Sequence, residues 1–266
     1  MTVRPPAVAG TFYPAQAAAL RREVVAAMPS FPRERAVAVV VPHAGYAYSG
    51  RVEGETFARV EIPRDVVLLC FHHRGHGAPV AVWGRGAWST PLGEVPVQEA
   101  LAAEILRSVP GAQADPRGHL QEHSGEVQLP FLQVARPDVR VVPVALSTGL
   151  DEASVPLLRG VGTALAGLAG DFLVVVSTDL NHYEDQLTTL EKDRRVIDAL
   201  ERLDEAALRA AVEGGVTMCG AAPAVAGIAY AKARGARGGR VVRHATSAEA
   251  AGDTEQVVGY VGMIIT

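Results

Sequence analysis

Residues 36–46 read AVAVVVPHAGY, a run of small and β-branched apolar residues that breaks into Pro42, His43, Ala44, Gly45 and Tyr46. Residues 36–41 have the length of a strand, and the lack of polar alternation predicts burial on both faces. The same pattern returns. Residues 66–71 (VVLLCF) run into His72, His73, Arg74, Gly75 and His76. Residues 172–176 (FLVVV) run into Ser177, Thr178, Asp179, Leu180, Asn181, His182 and Tyr183. Residues 139–146 (VRVVPVAL) form a fourth run, in which Pro143 predicts an edge or a bulge. Residues 257–265 (VVGYVGMII) are a late fifth.

Helical spacing of apolar residues fills the intervals over 17–28, 98–108, 152–168, 188–203, 205–213 and 221–233, with Asp151 and Asp204 placed as N-caps. Buried strands alternating with helices predict an α/β sandwich, a central mixed, largely parallel sheet flanked by helices. Residues 78–96, rich in Gly, Trp and Val, read as a hairpin or a decorating loop. No internal repeat and no Pro/Ser linker divides the chain, so residues 1–266 are read as a single domain.

Composition narrows the classes. Hydrophobic residues are 48% of the 266 and charged residues 20%, enough apolar material for a core and too much for disorder. Lys and Arg total 25 against 29 Asp and Glu, a net charge of −4, which argues against nucleic-acid binding by bulk positive charge. No apolar run approaches the ~18 residues of a membrane span. The opening MTVRPPAVAGTFYP lacks the order of a signal peptide, so the expected location is cytoplasmic. Two cysteines make no disulfide framework. Cys70, inside an apolar run, reads as a buried thiol, and Cys219 reads as a loop residue.

In open α/β sheets, ligands bind outside the carboxyl ends of the strands. Here three strands deliver His and Asp to one such edge. Taken singly, His43 is an ordinary hydrogen-bonded loop residue, Asp179 a turn cap and His76 a solvated side chain; their conjunction points to a site. A further cluster, Glu122-His123-Ser124-Gly125-Glu126, sets two carboxylates around one imidazole. It reads either as a carboxylate-oriented ring or as acidic residues favoured at a helix N-terminus. Cys219 precedes a helix candidate, where the dipole lowers a thiol pKa and suits a ligand, nucleophile or redox centre; the alternative is a small apolar filler. Imidazole and thiolate together suit zinc, iron or copper better than calcium or magnesium. A competing serine-hydrolase reading places Ser147, in Ala145-Leu146-Ser147-Thr148-Gly149, on a nucleophile elbow, with Asp179 and His182 or His244 following. Against it, Ala145 stands where the elbow has glycine. Gly160-Val161-Gly162 lies inside a helix candidate, so it is no dinucleotide fingerprint.

In order, these pieces resemble the Memo family, also called AmmeMemoRadiSam system protein B. They are residues 4–14 (RPPAVAGTFYP), 42–50 (PHAGYAYSG), the pair His72-His73, Glu122-His123-Ser124 through Phe131-Leu132, residues 177–183 (STDLNHY) and Cys219-Gly220. The resemblance implies a fold like that of the class III extradiol dioxygenases, which are non-haem iron enzymes. It implies His43, His73 and Cys219 as metal ligands, with Asp179 and His182 lining the same pocket. Phe71-His72-His73 stands where the family has Pro-Asn-His, so His72 is the neighbouring candidate; the following Gly75 aligns in favour of His73. Asn181 stands where the family has serine. On this reading the protein is a metal-dependent oxidoreductase using iron or copper, with zinc the third candidate, acting on a small molecule. His182 is the acid/base, tuned by Asp179, and His123 works with Glu122 or Glu126. Tyr46, His72 and Arg74 belong to the surrounding pocket. A cysteine ligand makes the metal softer than the two-His, one-carboxylate set of the dioxygenases, which favours redox or copper chemistry over ring cleavage. The alternative is a non-catalytic binding module whose vestigial pocket takes anionic or phosphorylated ligands, with Arg74 meeting the anion. The family name further implies association with an AMMECR1-like protein and a radical SAM enzyme, although this chain has no three-cysteine iron–sulfur pattern of its own.

Overall fold

The continuous apolar runs become the middle of a mixed sheet. The computed structural model describes residues 2–266. In chain order the elements are β1 (Val3–Arg4), α1 (Ala17–Ala27), β2 (Ala38–Val41), α2 (Tyr46–Phe57), β3 (Asp65–Phe71), β4 (Val80–Val82), β5 (Ala87–Thr90), β6 (Gly93–Pro96), α3 (Glu99–Ser108) and β7 (Ala112–Ala114). A 3-10 turn at Pro116–Gly118 leads to α4 (Gln128–Ala135), β8 (Arg140–Leu146), α5 (Ser154–Ala166), β9 (Phe172–Ser177), β10 (His182–Glu184) and α6 (Gln186–Glu201). The chain ends with α7 (Glu205–Glu213), α8 (Ala221–Ala233), β11 (Gly239–Thr246), α9 (Ala248–Ala251) and β12 (Val257–Ile265).

The main sheet has the order β10-β12-β2-β9-β3-β8-β4-β7, and β11 also pairs with β12. Its centre, β2-β9-β3-β8, is parallel throughout. These are the strands without polar alternation, and all but their terminal residues are buried, as a sheet covered on both faces requires. Parallel pairing puts their carboxyl ends at one edge. His43, His72-His73, Ser147 and Thr178-Asp179 all leave the sheet there. On the flanks, β12 runs antiparallel to β2 and β4 antiparallel to β8. A separate three-stranded sheet joins β1, β5 and β6.

Pro143 lies in an inner strand, not at an edge. Its carbonyl accepts from Trp83 N–H at 3.0 Å just where β4 ends, so the N–H it lacks would have faced the end of that ladder. Residues 78–96 divide in two: β4 joins the main sheet, and β5-β6 form the expected hairpin. Asp204 caps α7 through Ala207 N–H. Asp185 caps α6 through Thr188 N–H, so that helix begins at Gln186, ahead of the predicted residue 188. No helix among the described residues is long and apolar enough to cross a membrane.

Helix α8 is buried on nearly every side, between α5 and the sheet. Two glycines permit that approach. A Cβ on Gly162 would lie 2.2 Å from Ala226 O, and one on Gly227 would lie 2.5 Å from Val176 Cγ2. Backbone cannot yield as a flexible side chain can, so Gly162→Ala is expected to destabilise the fold by about 1–3 kcal/mol through overpacking. Urea denaturation measures it; an unchanged midpoint would show that α5 and α8 are not in this contact.

Candidate metal centre

Glu122 is the organising side chain. Its carboxylate accepts from His73 N–H at 2.7 Å, His73 Nδ1 at 3.0 Å, and the backbone N–H groups of His123 and Ser124, each at 2.8 Å. Burial alone would raise its pKa. The hydrogen bond from His73, the two nearby imidazoles and the Ser124 N–H outweigh burial and hold it well below the usual carboxylate range. A carboxylate accepting from Nδ1 leaves Nε2 of His73 as the nitrogen with the free lone pair. The His73 and His123 rings stack with centroids 4.5 Å apart, and His43 meets both edge-on, at 5.1 and 5.3 Å.

His43 is oriented by a different partner. Ser177 Oγ donates to Ser124 O at 2.7 Å, which uses its only proton. Toward His43 Nδ1, 2.8 Å away, the hydroxyl must therefore accept. That assigns the His43 proton to Nδ1 and turns an Nε2 lone pair toward the other rings. One ring nitrogen from each of His43, His73 and His123 then lies within 4.8 Å of the others, an arrangement that could hold a metal ion. Cys219 Sγ sits beside them, 3.1 Å from His43 Nε2 and accepting from Asp179 N–H at 3.4 Å.

The electrostatics suit neutral donors. Burial, then the imidazoles of His123 and His73, lower the His43 pKa well below its ordinary value. Burial pushes His123 down to about 4, against the pull of Glu122. Burial pushes Asp179 up to about 7, although its Oδ1 accepts from His43 N–H at 2.7 Å. Cys219 goes opposite to the helix-terminus expectation: desolvation of this half-buried residue, then the Asp179 charge, raise its thiol pKa. Neutral imidazole and a thiol are the N and S donors that zinc, iron and copper accept.

The other predicted residues are placed as follows. His182 stands at the rim, its Nδ1 on Thr217 O at 2.8 Å, and burial lowers its pKa. Tyr46 is buried and donates to Val127 O, at the start of the helix that follows His123. His72 leaves the triad and lines a neighbouring cavity with Arg74. Glu126 does not turn toward His123. It is buried against Arg4, 122 residues away, and also accepts from Ala7 N–H, Val8 N–H and Tyr13 Oη. Arg4 donates as well to the carbonyls of His119 and Glu122, and so ties the N-terminal segment to the loop that bears His123. Sequence reasoning passed over Arg4, Ser177 and Gln128, which reaches Pro42 O and Ser177 Oγ. All three lay inside quoted motifs, but nothing local marked their partners. Ser147 donates to Ala78 O, and His244 pairs with Asp193, so no serine triad assembles.

The family described as Memo-like protein matches residues 4–264. A MEMO1 family protein of Aquifex aeolicus is 42% identical over 99% of both chains. Another, from Thermotoga neapolitana, is 40% identical over 99% of this chain and 100% of its own. A third, from Sulfolobus acidocaldarius, is 36% identical over 98% of each. The chain belongs to the Memo family. Because Glu122 hydrogen-bonds the His73 ring and lies 3.3 Å from His123 Nδ1, Glu122→Gln is expected to weaken binding of zinc or iron by about 10–100-fold. Chelator competition measures this alongside a melting curve; an unchanged affinity in a folded variant would remove Glu122 from that role.

Proposed function

We propose that this Memo-family chain is a metal-dependent oxidoreductase acting on a small molecule, with iron or copper held by His43, His73, His123 and Cys219. The observation that carries the reading is the convergence of three imidazole nitrogens within 4.8 Å, with the Cys219 sulfur 3.1 Å from one of them. A redox metal bound there supplies electron transfer, and a thiolate donor makes it more electron-rich than a carboxylate would.

The remaining side chains prepare that chemistry. Ser177 and Glu122 fix the tautomers of His43 and His73, so their free nitrogens are presented without rearrangement. Asp179, raised to about 7, holds or releases a proton near neutral pH within 4.0 Å of His43 Nε2. His182, with Nδ1 committed to Thr217 O, offers Nε2 as an acceptor at the rim. Phe12 and Phe71 pack edge-on against His123 and His73.

Elemental mass spectrometry on protein purified without oxygen and without a metal-binding tag tests this. The expected result is near-stoichiometric iron or copper, lost in His43→Ala and reduced in Cys219→Ala. Stoichiometric zinc would contradict the redox reading and favour hydrolysis. A protein that takes up none of the three metals would overturn the reading in favour of a binding module.

A further inference from the structure

We propose that a cavity beside the metal centre is a separate binding site for a small oxyanion, a phosphate or carboxylate group. The cavity, about 460 Å³, is lined by His72, Arg74, Gly77 and Arg117 among others. Consecutive residues thus serve two sites: His73 faces the imidazole cluster, and His72 faces this cavity.

The argument is an inventory of donors and acceptors. His72 is 3% exposed, and its Nδ1 accepts from His76 N–H at 3.0 Å. The ring proton therefore sits on Nε2. That N–H meets no acceptor among the described residues, yet it is not sealed from solvent, so it opens into the cavity. The backbone N–H groups of Arg74 and Gly77 are likewise without hydrogen bonds among the described residues. Gly75 and Gly77 have φ of 65° and 102°, left-handed conformations that glycine tolerates. The Arg74 guanidinium is steadied by its Nε on Gln121 O at 3.2 Å, which leaves its outer N–H groups to donate.

The neighbouring carboxylates do not use these donors. Asp115 is filled by Ala78 N–H, Arg117 N–H and the Arg117 guanidinium. Glu122 is filled by His73, His123 and Ser124. What remains is the N–H of a buried imidazole, two water-accessible backbone N–H groups and one guanidinium with free outer N–H groups, a donor set that matches an oxyanion and disfavours a cation. This inference goes beyond the metal reading and does not depend on it.

Inorganic phosphate and succinate, titrated separately at constant ionic strength into the full-length ¹⁵N-labelled protein, test it. The experiment is run with the metal loaded and after chelation. The expected result is a saturable shift of the Arg74 and Gly77 amides and the His72 Nε2–H in both states, with the tighter ligand identifying phosphate or carboxylate. Arg74→Gln, on an exposed side chain, is expected to weaken binding about tenfold, the worth of a charge-assisted hydrogen bond. Absence of a saturable shift, an equal affinity in Arg74→Gln (an adventitious ion only), or shifts confined to His43, His73 and His123 would each overturn the proposal. None of these outcomes bears on whether the imidazole cluster binds metal, so the two readings fail separately.

Discussion

The buried Glu122 carboxylate is the interaction on which the site depends. Enclosing an anion is costly unless its oxygens are matched by donors. Here four donors, from His73, His123 and Ser124, match it. Those donors belong to the loop after β3 and the loop before α4, so satisfying the carboxylate also joins the two segments. Arg4 fixes the same residue from behind through its carbonyl, and Glu126 keeps Arg4 in place. The geometry of the two imidazoles thus follows from the requirement that buried charges be paired.

His43 reaches the cluster from β2 by an independent chain, in which Ser124 O fixes the Ser177 hydroxyl and the hydroxyl fixes the ring. Ser124 belongs to both networks, through its N–H on Glu122 and its carbonyl on Ser177. The parallel centre of the sheet makes this economical, because β2, β3 and β9 end side by side and their loops need to travel only a few residues.

The strands of that centre were legible because uninterrupted β-branched runs have few alternatives, and their polar termini marked the edge at which a site would form. Helices α7 and α8 were legible to the residue from spacing and caps. What escaped was set by distant pairing. Short β4 and the half-exposed β11 owe their state to partners in the sheet rather than to their own residues. Glu122 and Glu126 look equivalent around His123, yet one meets the imidazoles and the other an arginine near the start of the chain. The dipole argument for Cys219 was sound locally and lost to burial. Pro143 sits in an inner strand because the antiparallel ladder ends opposite it, and that depends on where β4 stops.

Taken together, the site brings together three imidazoles, a thiol whose pKa is raised and a carboxyl poised near neutrality, with two phenylalanines packed edge-on against the rings. Such a set gains most from a bound cation, which would draw the proton from the cysteine and use the lone pairs that the hydrogen bonds have aligned. X-ray absorption at the metal edge of protein loaded with iron, copper or zinc tests this most directly. The account predicts scattering from imidazole nitrogens together with one sulfur at about 2.3 Å in the zinc form, and loss of imidazole signal in His43→Ala. A shell of oxygen alone, or a spectrum unchanged by that substitution, would contradict it.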